Sequence, residues 1–295
     1  MHILITGGTG FIGRALSSRL LAEGHQLTVL SRHPGTVATR LGSEVTAWRS
    51  LDEWSETATF DAVINLAGAP IIDAAWTASR RQVLWDSRIR LTETLVAKMQ
   101  AAIQPPKVLI SGSAIGYYGN TGDQPLNEHS PAGQDFGADL CAAWEQAALT
   151  AESPETRVCV LRTGLVLHSS GGMLGRMLWP FRLGLGGPIG DGQQWMSWIH
   201  LDDETGIIAY LLDRPEMRGI YNLTAPVPVT NQEFTQALAK AVRRPAVFRV
   251  PAVLLRWMLG ARAELLLGGQ KVRPERILAE GYEFVHPELR QALNG

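Results

Sequence analysis

The stretch ITGGTGFIG, residues 5–13, decides the fold; it begins inside the apolar run HILIT (2–6). Its glycines Gly7, Gly10 and Gly13 are spaced three residues apart. A chain of this kind turns sharply out of a strand, brings its backbone close to an anion and starts a helix whose first N–H groups face that anion. The motif therefore predicts a pyrophosphate cradle, with a glycine-rich turn that binds nothing as the alternative.

Short apolar runs alternate with helical stretches through the first two-thirds of the chain. The runs are HILIT (2–6), QLTVL (26–30), DAVINLAG (61–68), KVLISGSA (107–114) and RVCVLRTGLVL (157–167), with EVTAW (44–48) as a weaker one. Helix-like segments cover roughly 11–23, 77–102 and 134–151. Such runs are typical of strands that are buried on both faces. The alternation predicts an α/β protein with a doubly wound parallel sheet, the Rossmann fold.

Gly and Pro become dense in the later part of the chain, and a helix with one apolar face follows at 230–244. We predict a dinucleotide-binding Rossmann domain over residues 1–170. A smaller, mixed C-terminal lobe over 171–295 would hold the substrate or a lid. Later segments such as GIYNLTA (219–225) are expected to return to the main sheet.

Composition excludes several classes of partner. The formal net charge is −1 over 295 residues, so no overall field attracts nucleic acid or an acidic membrane. The apolar stretch 252–269 carries Arg256, Arg262 and Glu264, which are too many charges for a transmembrane span. A helix predicted at 252–268 would have no clean polar face, which favours cover by the other lobe or by a second subunit. A homodimer is therefore left open.

The two cysteines, Cys141 and Cys159, form neither a metal-binding spacing nor a disulfide framework, and we predict no metal site. Unpaired thiols of this kind fit a reducing compartment. The opening residues MHILITGG (1–8) lack the basic region and apolar core of a signal peptide. We therefore expect a cytoplasmic protein.

The end of the second predicted strand indicates which dinucleotide would bind. NAD sites usually place a carboxylate there to accept a hydrogen bond from the ribose 2′-OH. This chain instead has VLSRHP, with Ser31 and Arg32 and no carboxylate. An arginine and a hydroxyl can bind a 2′-phosphate through charge-assisted hydrogen bonds. The pattern predicts NADP(H), with a surface role for Arg32 as the alternative.

The glycine motif, NLAG (65–68), SGSAIGYYG (111–119) and WIHLDD (198–203) together resemble the extended short-chain dehydrogenase/reductases, the nucleotide-sugar epimerase-like enzymes. Two further stretches, 180–200 and GGQKVRPERILAEGY (268–282), resemble an atypical branch, the YfcH-like epimerase family. The resemblance spans essentially the whole chain.

This resemblance implies a cofactor site assembled from several segments. Gly7, Gly10 and Gly13 would hold the pyrophosphate, and Ser31 and Arg32 would meet the ribose phosphate. The other implied cofactor residues are Thr9, Phe11, Ile12, Leu66, Ala67, Gly68, Arg88 and Gly164, the last with Thr163 and Leu165 beside the nicotinamide. For Arg88, a solvent-facing position on its helix is the alternative.

Enzymes of this superfamily normally use Ser, Tyr and Lys, and Ser113 matches the serine. Alignment on the helix near Trp144 puts Phe136 or Gly137 at the tyrosine and Leu140 or Cys141 at the lysine, and Tyr-x-x-x-Lys occurs nowhere in the chain. Ser113 and Tyr117 are the catalytic candidates that we retain. The other possible proton donors are Tyr118, Cys141, His200 and a water on Ser113. For His200, the alternative is packing beneath a helix at 203–213 that Asp202 caps.

Two functional interpretations follow from these residues. The first is an NADP(H)-dependent oxidoreductase or epimerase-like enzyme that acts on a small carbonyl or carbinol compound with a non-standard proton donor. The second is a non-catalytic NADP(H)-binding sensor or scaffold. A nucleic-acid-binding module is disfavoured, because the chain has no basic stripe.

Overall fold

The structure is a computed structural model that describes residues 1–55 and 58–294. The strands are β1 (His2–Thr6), β2 (Gln26–Leu30), β3 (Thr46–Trp48), β4 (Ala62–Asn65), β5 (Val108–Ala114), β6 (Pro125–Leu126), β7 (Arg157–Thr163), β8 (Leu165–His168), β9 (Trp195–Met196), β10 (Trp198–His200), β11 (Gly219–Leu223), β12 (Val229–Thr230) and β13 (Lys271–Val272). The helices are α1 (Phe11–Ala22), α2 (Val37–Leu41), α3 (Ala78–Trp85), α4 (Leu91–Ala101), α5 (Phe136–Leu149), α6 (Gly172–Arg182), α7 (Leu201–Leu212), α8 (Asn231–Ala241), α9 (Ala252–Leu259), α10 (Glu264–Leu267), α11 (Glu275–Ala279) and α12 (Leu289–Asn294).

Seven strands form a single parallel sheet in the order β3–β2–β1–β4–β5–β7–β11. This order confirms the predicted Rossmann fold. The segment at 219–225 does return to the sheet, as the edge strand β11. The strand order reverses between β1 and β4, and the crevice beyond their carboxyl ends is where open α/β sheets bind ligands.

The core lies on both faces of the sheet, because successive side chains of a strand point to opposite faces. In β1, Ile3 and Ile5 pack with residues of α1 and α7, whereas Leu4 packs with residues of α4 and α5. All three side chains are fully buried. Each contributes about 1.5–3 kcal/mol of burial free energy, so the two layers fix the sheet between them.

The apolar run 157–167 was predicted as one strand, and this prediction was wrong. The chain changes sheets at Gly164, whose N–H donates to the Leu223 carbonyl, while the N–H of Leu165 donates to the Ser197 carbonyl. A Cβ on Gly164 would lie 2.5 Å from Ser197 O, so only glycine allows this close crossing. β8 therefore leaves the main sheet and pairs with β10.

Two predicted helices are also interrupted. The stretch 77–102 forms α3 and α4 joined by a π-helical turn at Asp86–Arg90. The stretch 252–268 forms α9 and α10, and Gly260, with φ +56°, ends α9. The apolar face of α9 is exposed, with Val253 at 77% and Trp257 at 83% of full exposure. Among residues 1–55 and 58–294, no other segment covers this face.

The later residues build a further core around α6, α8, β10 and α12. Trp198 and Phe181 are buried in this core. The helix α8 begins with a capping box between Thr230 and Glu233. The proposed boundary near residue 170 stays a prediction.

A short parallel ladder joins distant parts of the chain, because Lys271 and Val272 pair with Pro125 and Leu126. Ser197 Oγ donates to the Gln270 carbonyl and accepts from the N–H of Val272. Within residues 1–55 and 58–294, no helix combines the length and the hydrophobicity that a transmembrane span needs.

Candidate functional site

The glycine motif forms a tight turn between β1 and α1. Gly7 adopts φ +72°, and a Cβ there would lie 2.7 Å from the carbonyl oxygen of Leu66. A Cβ on Gly13 would overlap the carbonyl oxygen of Gly7. Gly10 is the N-cap of α1 and offers no side-chain cap, so the first N–H groups of the helix have no side-chain acceptor there. The turn therefore has the geometry of an anion cradle.

The other residues of this turn take different positions. The Phe11 ring lies against Gly171 and Gly172, where a Cβ would come within 2.9 Å of the ring. Ile12 packs on the main core. Thr9 is half-buried in the turn itself. Phe11 thus connects the glycine turn to the segment that follows β8.

At the end of β2, Ser31 and Arg32 lie beside the same crevice. Ser31 Oγ accepts a hydrogen bond from the N–H of His33 at 3.2 Å. Arg32 is exposed, and its guanidinium makes no hydrogen bond or ion pair with the described part of the chain. This cation is therefore available to a ligand.

The end of β4 is held by buried polar contacts. Thr6 Oγ1 donates to Asn65 Oδ1 at 2.6 Å and accepts from the N–H of Ala67 at 3.2 Å. The N–H of Leu66 donates to the Thr6 carbonyl. These bonds fix Leu66 and Ala67 next to Gly7.

Arg88 turns inward from the π-helical turn rather than toward solvent. A Cβ on Gly68 would lie 2.9 Å from its guanidinium carbon, and that carbon is 5.2 Å from the centre of the Trp144 ring. Burial lowers the pKa of Arg88, while Cys141 opposes that shift. The turn at Asp86–Arg90 thus places a partly desolvated cation against Gly68, which agrees with the frequent use of π-helical turns at functional sites.

Ser113 lies near the end of β5 and joins a buried ionic network. Its Oγ donates to Glu145 Oε1 at 2.7 Å. Arg162 holds the same carboxylate with two bonds of 2.8 Å, from Nε to Oε1 and from Nη2 to Oε2. Arg162 and Glu145 are each at most 5% exposed in their side chains. Paired bonds of this kind are strong and directional, so the Glu145 carboxylate is held in one position.

Two tyrosines border this network. Tyr118 accepts from Arg162 Nη1 at 3.0 Å and donates to Asn222 Oδ1 at 2.6 Å. Burial raises the pKa of Tyr118 to about 12, against the opposing effect of Arg162. The Tyr117 ring lies under the same guanidinium, 3.4 Å from its carbon, and is only half-buried. Of the two, Tyr117 is the more accessible.

The structure shows which residues of α5 face Ser113. Gly137 and Cys141 lie toward the turn after β5, since a Cβ on Gly116 would be 3.8 Å from the Cys141 sulfur. Phe136 instead packs on Trp76, with ring centroids 5.2 Å apart. Of the two alternatives at each position, Gly137 and Cys141 therefore lie nearer to the turn after β5.

Cys141 is nearly fully buried and contacts Ser113. Burial raises the pKa of its thiol to about 11, and Glu145 raises it further, so the thiol stays protonated at neutral pH. A small apolar role for Cys141 fits this environment better than that of a reactive thiolate.

His200 lies in a different cluster. It is buried at the end of β10 and is itself the N-cap of α7, since its Nδ1 accepts from the N–H of Asp202 at 3.2 Å. The expected cap by Asp202 was therefore wrong, because α7 begins at Leu201. The His200 ring contacts His168 and His286 and makes no hydrogen bond to the Ser113 network.

A further carboxyl group contacts Thr163, the residue before Gly164. Thr163 Oγ1 donates to Glu204 Oε1 at 2.8 Å, and Glu204 is fully buried. Its second oxygen has no hydrogen-bond partner in the described part of the chain. Burial raises the pKa of Glu204 to about 8, against the effect of the Thr163 bond.

Sequence reasoning missed Glu145, Arg162 and Glu204. The only available signal was a charged residue inside an apolar segment: Arg162 interrupts the buried run of β7, and Glu145 lies on a helix whose other buried residues are mostly small or apolar.

A family model described as the NAD dependent epimerase/dehydratase family matches residues 3–224. This chain belongs to the NAD-dependent epimerase/dehydratase family. A second model, described as a domain of unknown function (DUF1731), matches residues 250–294. The resemblance inferred from the motifs is thereby confirmed.

Relatives within this family match along nearly the full length. The mouse epimerase family protein SDR39U1 is 42% identical over 298 residues, which cover 99% of this chain and 98% of that protein. Epimerase family protein Mb2239 of Mycobacterium bovis is 40% identical over 99% of this chain and 96% of that protein. A crystal structure of human SDR39U1 (isoform 2) with NADPH has a TM-score of 0.91 at 39% identity, and the match covers 100% of this chain and 98% of that one.

Proposed function

We propose that this family member is an NADP(H)-dependent oxidoreductase or epimerase-like enzyme that acts on a small carbonyl or carbinol compound. Support for the cofactor comes from the human SDR39U1 structure, which contains NADPH. Support for the reaction comes from the ionic network behind Ser113. The bond of 2.7 Å between Ser113 and Glu145 is the observation that carries the proposal.

The residues present fit a dinucleotide phosphate. A Cβ on Gly7 or Gly13 would collide with the backbone of Leu66 or of Gly7, so these glycines allow the tight turn that leaves the first N–H groups of α1 to bind a pyrophosphate. Arg32, which has no partner in the described part of the chain, would bind the 2′-phosphate with Ser31. The remaining contacts would come from residues along the crevice: Thr9, Phe11, Ile12, Leu66, Ala67, Gly68, Arg88 and Gly164.

When bound, NADPH would donate a hydride to a carbonyl carbon and NADP⁺ would accept one from a carbinol carbon, while the chain has to supply or take up the proton. Ser113 commits its hydroxyl hydrogen to Glu145, so its free lone pairs can accept a hydrogen bond from a substrate hydroxyl. During oxidation of a carbinol, the substrate proton moves to Ser113 Oγ while the serine proton moves to Glu145. During reduction of a carbonyl, both protons move in the opposite direction. Arg162 holds the Glu145 carboxylate in the position that this relay requires.

This relay replaces the missing tyrosine with a carboxylate that acts through the serine. General acid–base groups in such positions contribute about 10²–10⁴-fold to rates. Tyr117 would edge the substrate site, since it is the half-buried ring beside the network. Arg88 would provide a cation beside Cys141, one of the two residues that alignment puts at the lysine position.

Hydride transfer can be tested with C4-deuterated NADPH and a metabolite extract, with deuterium followed by mass spectrometry. We expect deuterium to appear in a metabolite with the wild-type protein. Ser113→Ala is expected to slow this transfer by about 10²-fold or more while NADPH still binds, because the relay is lost and the cradle is intact. Ser111→Ala, on the same strand, is the matched control and should keep full transfer, since Ser111 contacts Asn65 rather than Glu145.

Equal transfer by Ser113→Ala and the wild type would refute the relay. Deuterium that stays on bound NADPH throughout would refute the enzymatic proposal and favour the sensor or scaffold, an interpretation that no specific contact in the structure supports.

A further inference from the structure

Three potential metal ligands meet where α7 begins, outside the proposed catalytic network. His200 ends β10, Asp202 lies in the first turn of α7, and His286 belongs to the C-terminal segment. Asp202 Oδ2 is 3.4 Å from His200 Nδ1 and 3.4 Å from His286 Nε2. The three ligand atoms all lie within 4.8 Å of one another.

These distances suit a shared cation better than direct hydrogen bonds. A good N–H···O bond measures about 2.7–3.2 Å, which is shorter than both observed contacts. Zn²⁺ binds imidazole nitrogen at about 2.0–2.1 Å and carboxylate oxygen at about 2.0–2.2 Å, so two ligands at tetrahedral corners lie about 3.4 Å apart. Both contacts of Asp202 with the histidines therefore match a tetrahedral edge.

Hydrogen bonds from the neighbouring residue keep the C-terminal ligand in place. Asp203 accepts hydrogen bonds from the backbone N–H of Val285 at 2.7 Å and of His286 at 2.9 Å, which fixes His286 against α7.

The site is also accessible. The Asp202 side chain is 61% exposed, so a hydrated ion can reach it, and a water can fill the fourth position. Without metal, the His200 Nδ1 lone pair accepts the N–H of Asp202 at 3.2 Å, and coordination would take the same lone pair. His168 lies near His200, with ring centroids 5.7 Å apart, but its Nδ1 is bonded to Ser170.

We propose that His200, Asp202 and His286 form a zinc-binding site that clips the C-terminal segment to the start of α7. Two imidazoles and one carboxylate are a donor set that favours Zn²⁺ over Mg²⁺ or Ca²⁺, which prefer oxygen ligands. Zn²⁺ binding at this site requires neither NADPH nor turnover. The proposal therefore goes beyond the proposed function and is tested independently of it.

The test is titration calorimetry of tag-free, chelator-treated full-length protein with Zn²⁺, in the absence of NADPH. We expect one equivalent to bind to the wild type. His286→Gln and Asp202→Asn each remove a ligand, and should weaken Zn²⁺ binding by more than the roughly 10–100-fold that loss of a supporting partner costs. His129→Gln is the matched control, because His129 is an exposed histidine outside the cluster, and it should bind like the wild type.

A second measurement distinguishes the loss of a metal ligand from poor folding of a variant. Co²⁺ in a tetrahedral site of nitrogen and oxygen ligands gives intense visible absorption, which we expect for the wild type and for His129→Gln. Zn²⁺ should also raise the Tm of these two proteins, but not that of His286→Gln. Absence of saturable Zn²⁺ binding to the wild type, or equal binding by all the variants, overturns the proposal.

Discussion

At the β1–α1 turn the site is made of backbone, whereas around Ser113 it is made of side chains from four separate elements. The turn needs nine consecutive residues, and its requirement is the absence of side chains at Gly7 and Gly13. The network needs Ser113 from β5, Glu145 from α5 and Arg162 from β7, with the tyrosines from the turn after β5. A site built from local backbone leaves a motif in the sequence, and a site built across the fold does not.

Arg162→Met tests the side-chain network around Ser113 and has the largest expected effect. It leaves the buried Glu145 carboxylate without its cation, which typically costs about 3–5 kcal/mol of unfolding free energy. Urea denaturation measures this loss. The double variant Arg162→Met/Glu145→Leu should recover most of the stability, because no unpaired charge remains.

The matched control is Arg90→Met, which removes an exposed ion pair with Asp86 and should cost at most about 1 kcal/mol. A loss of the same size for Arg162→Met and Arg90→Met would mean that the network is not a rigid, desolvated unit, and the contrast with the backbone turn would fail.

Gly13→Ala tests the backbone of the β1–α1 turn. Its new Cβ would overlap the Gly7 carbonyl, so the turn must open, at a cost of about 1–3 kcal/mol typical of overpacking. NADPH binding, measured by fluorescence titration, should weaken at the same time. Gly35→Ala provides the control, since a Cβ there meets nothing within 4 Å. Unchanged NADPH affinity in Gly13→Ala would show that the turn is not the cradle.

Arg32→Ala is expected to have the smallest effect of the three variants, because it removes only one exposed side chain. Loss of the guanidinium should weaken NADPH binding by about tenfold, or about 1.4 kcal/mol, and leave NADH binding nearly unchanged. Arg40→Ala, an exposed arginine on α2, should change neither affinity. Parallel losses for NADPH and NADH would contradict the assignment of Arg32 to the 2′-phosphate.

The same contrast explains how much could be predicted from sequence. Buried parallel strands are continuous apolar runs, so the alternation of β and α elements correctly predicted a doubly wound parallel sheet. The break at Gly164 was missed, because the runs on both sides of it are mostly apolar and only the partner strand changes. The π-helical turn at Asp86–Arg90 was missed, because its residues are ordinary for a helix, and it is this turn that directs Arg88 inward.

Side-chain partners were the least predictable part of the site. Nothing local to Glu145 indicates Ser113, which lies 32 residues away, or Arg162, which lies 17 residues away on another strand. The absence of Tyr-x-x-x-Lys was visible in the sequence, but the group that we propose in its place could be named only once β5, α5 and β7 were placed together. His200 shows the converse, since a motif residue that suggested acid–base chemistry lies outside the Ser113 network, where it caps α7.

The parallel pairing of β6 with β13 has a consequence for the order of folding. Every strand of the main sheet has been synthesised by Leu223, yet Pro125 and Leu126 have no strand partner until Lys271 and Val272 emerge. Contacts between residues so far apart in sequence form late, because the intervening chain must first be ordered. On the ribosome, the nascent Rossmann sheet can therefore assemble while the edge at β6 still lacks its partner, and that edge stays open to other chains until the segment 271–272 arrives.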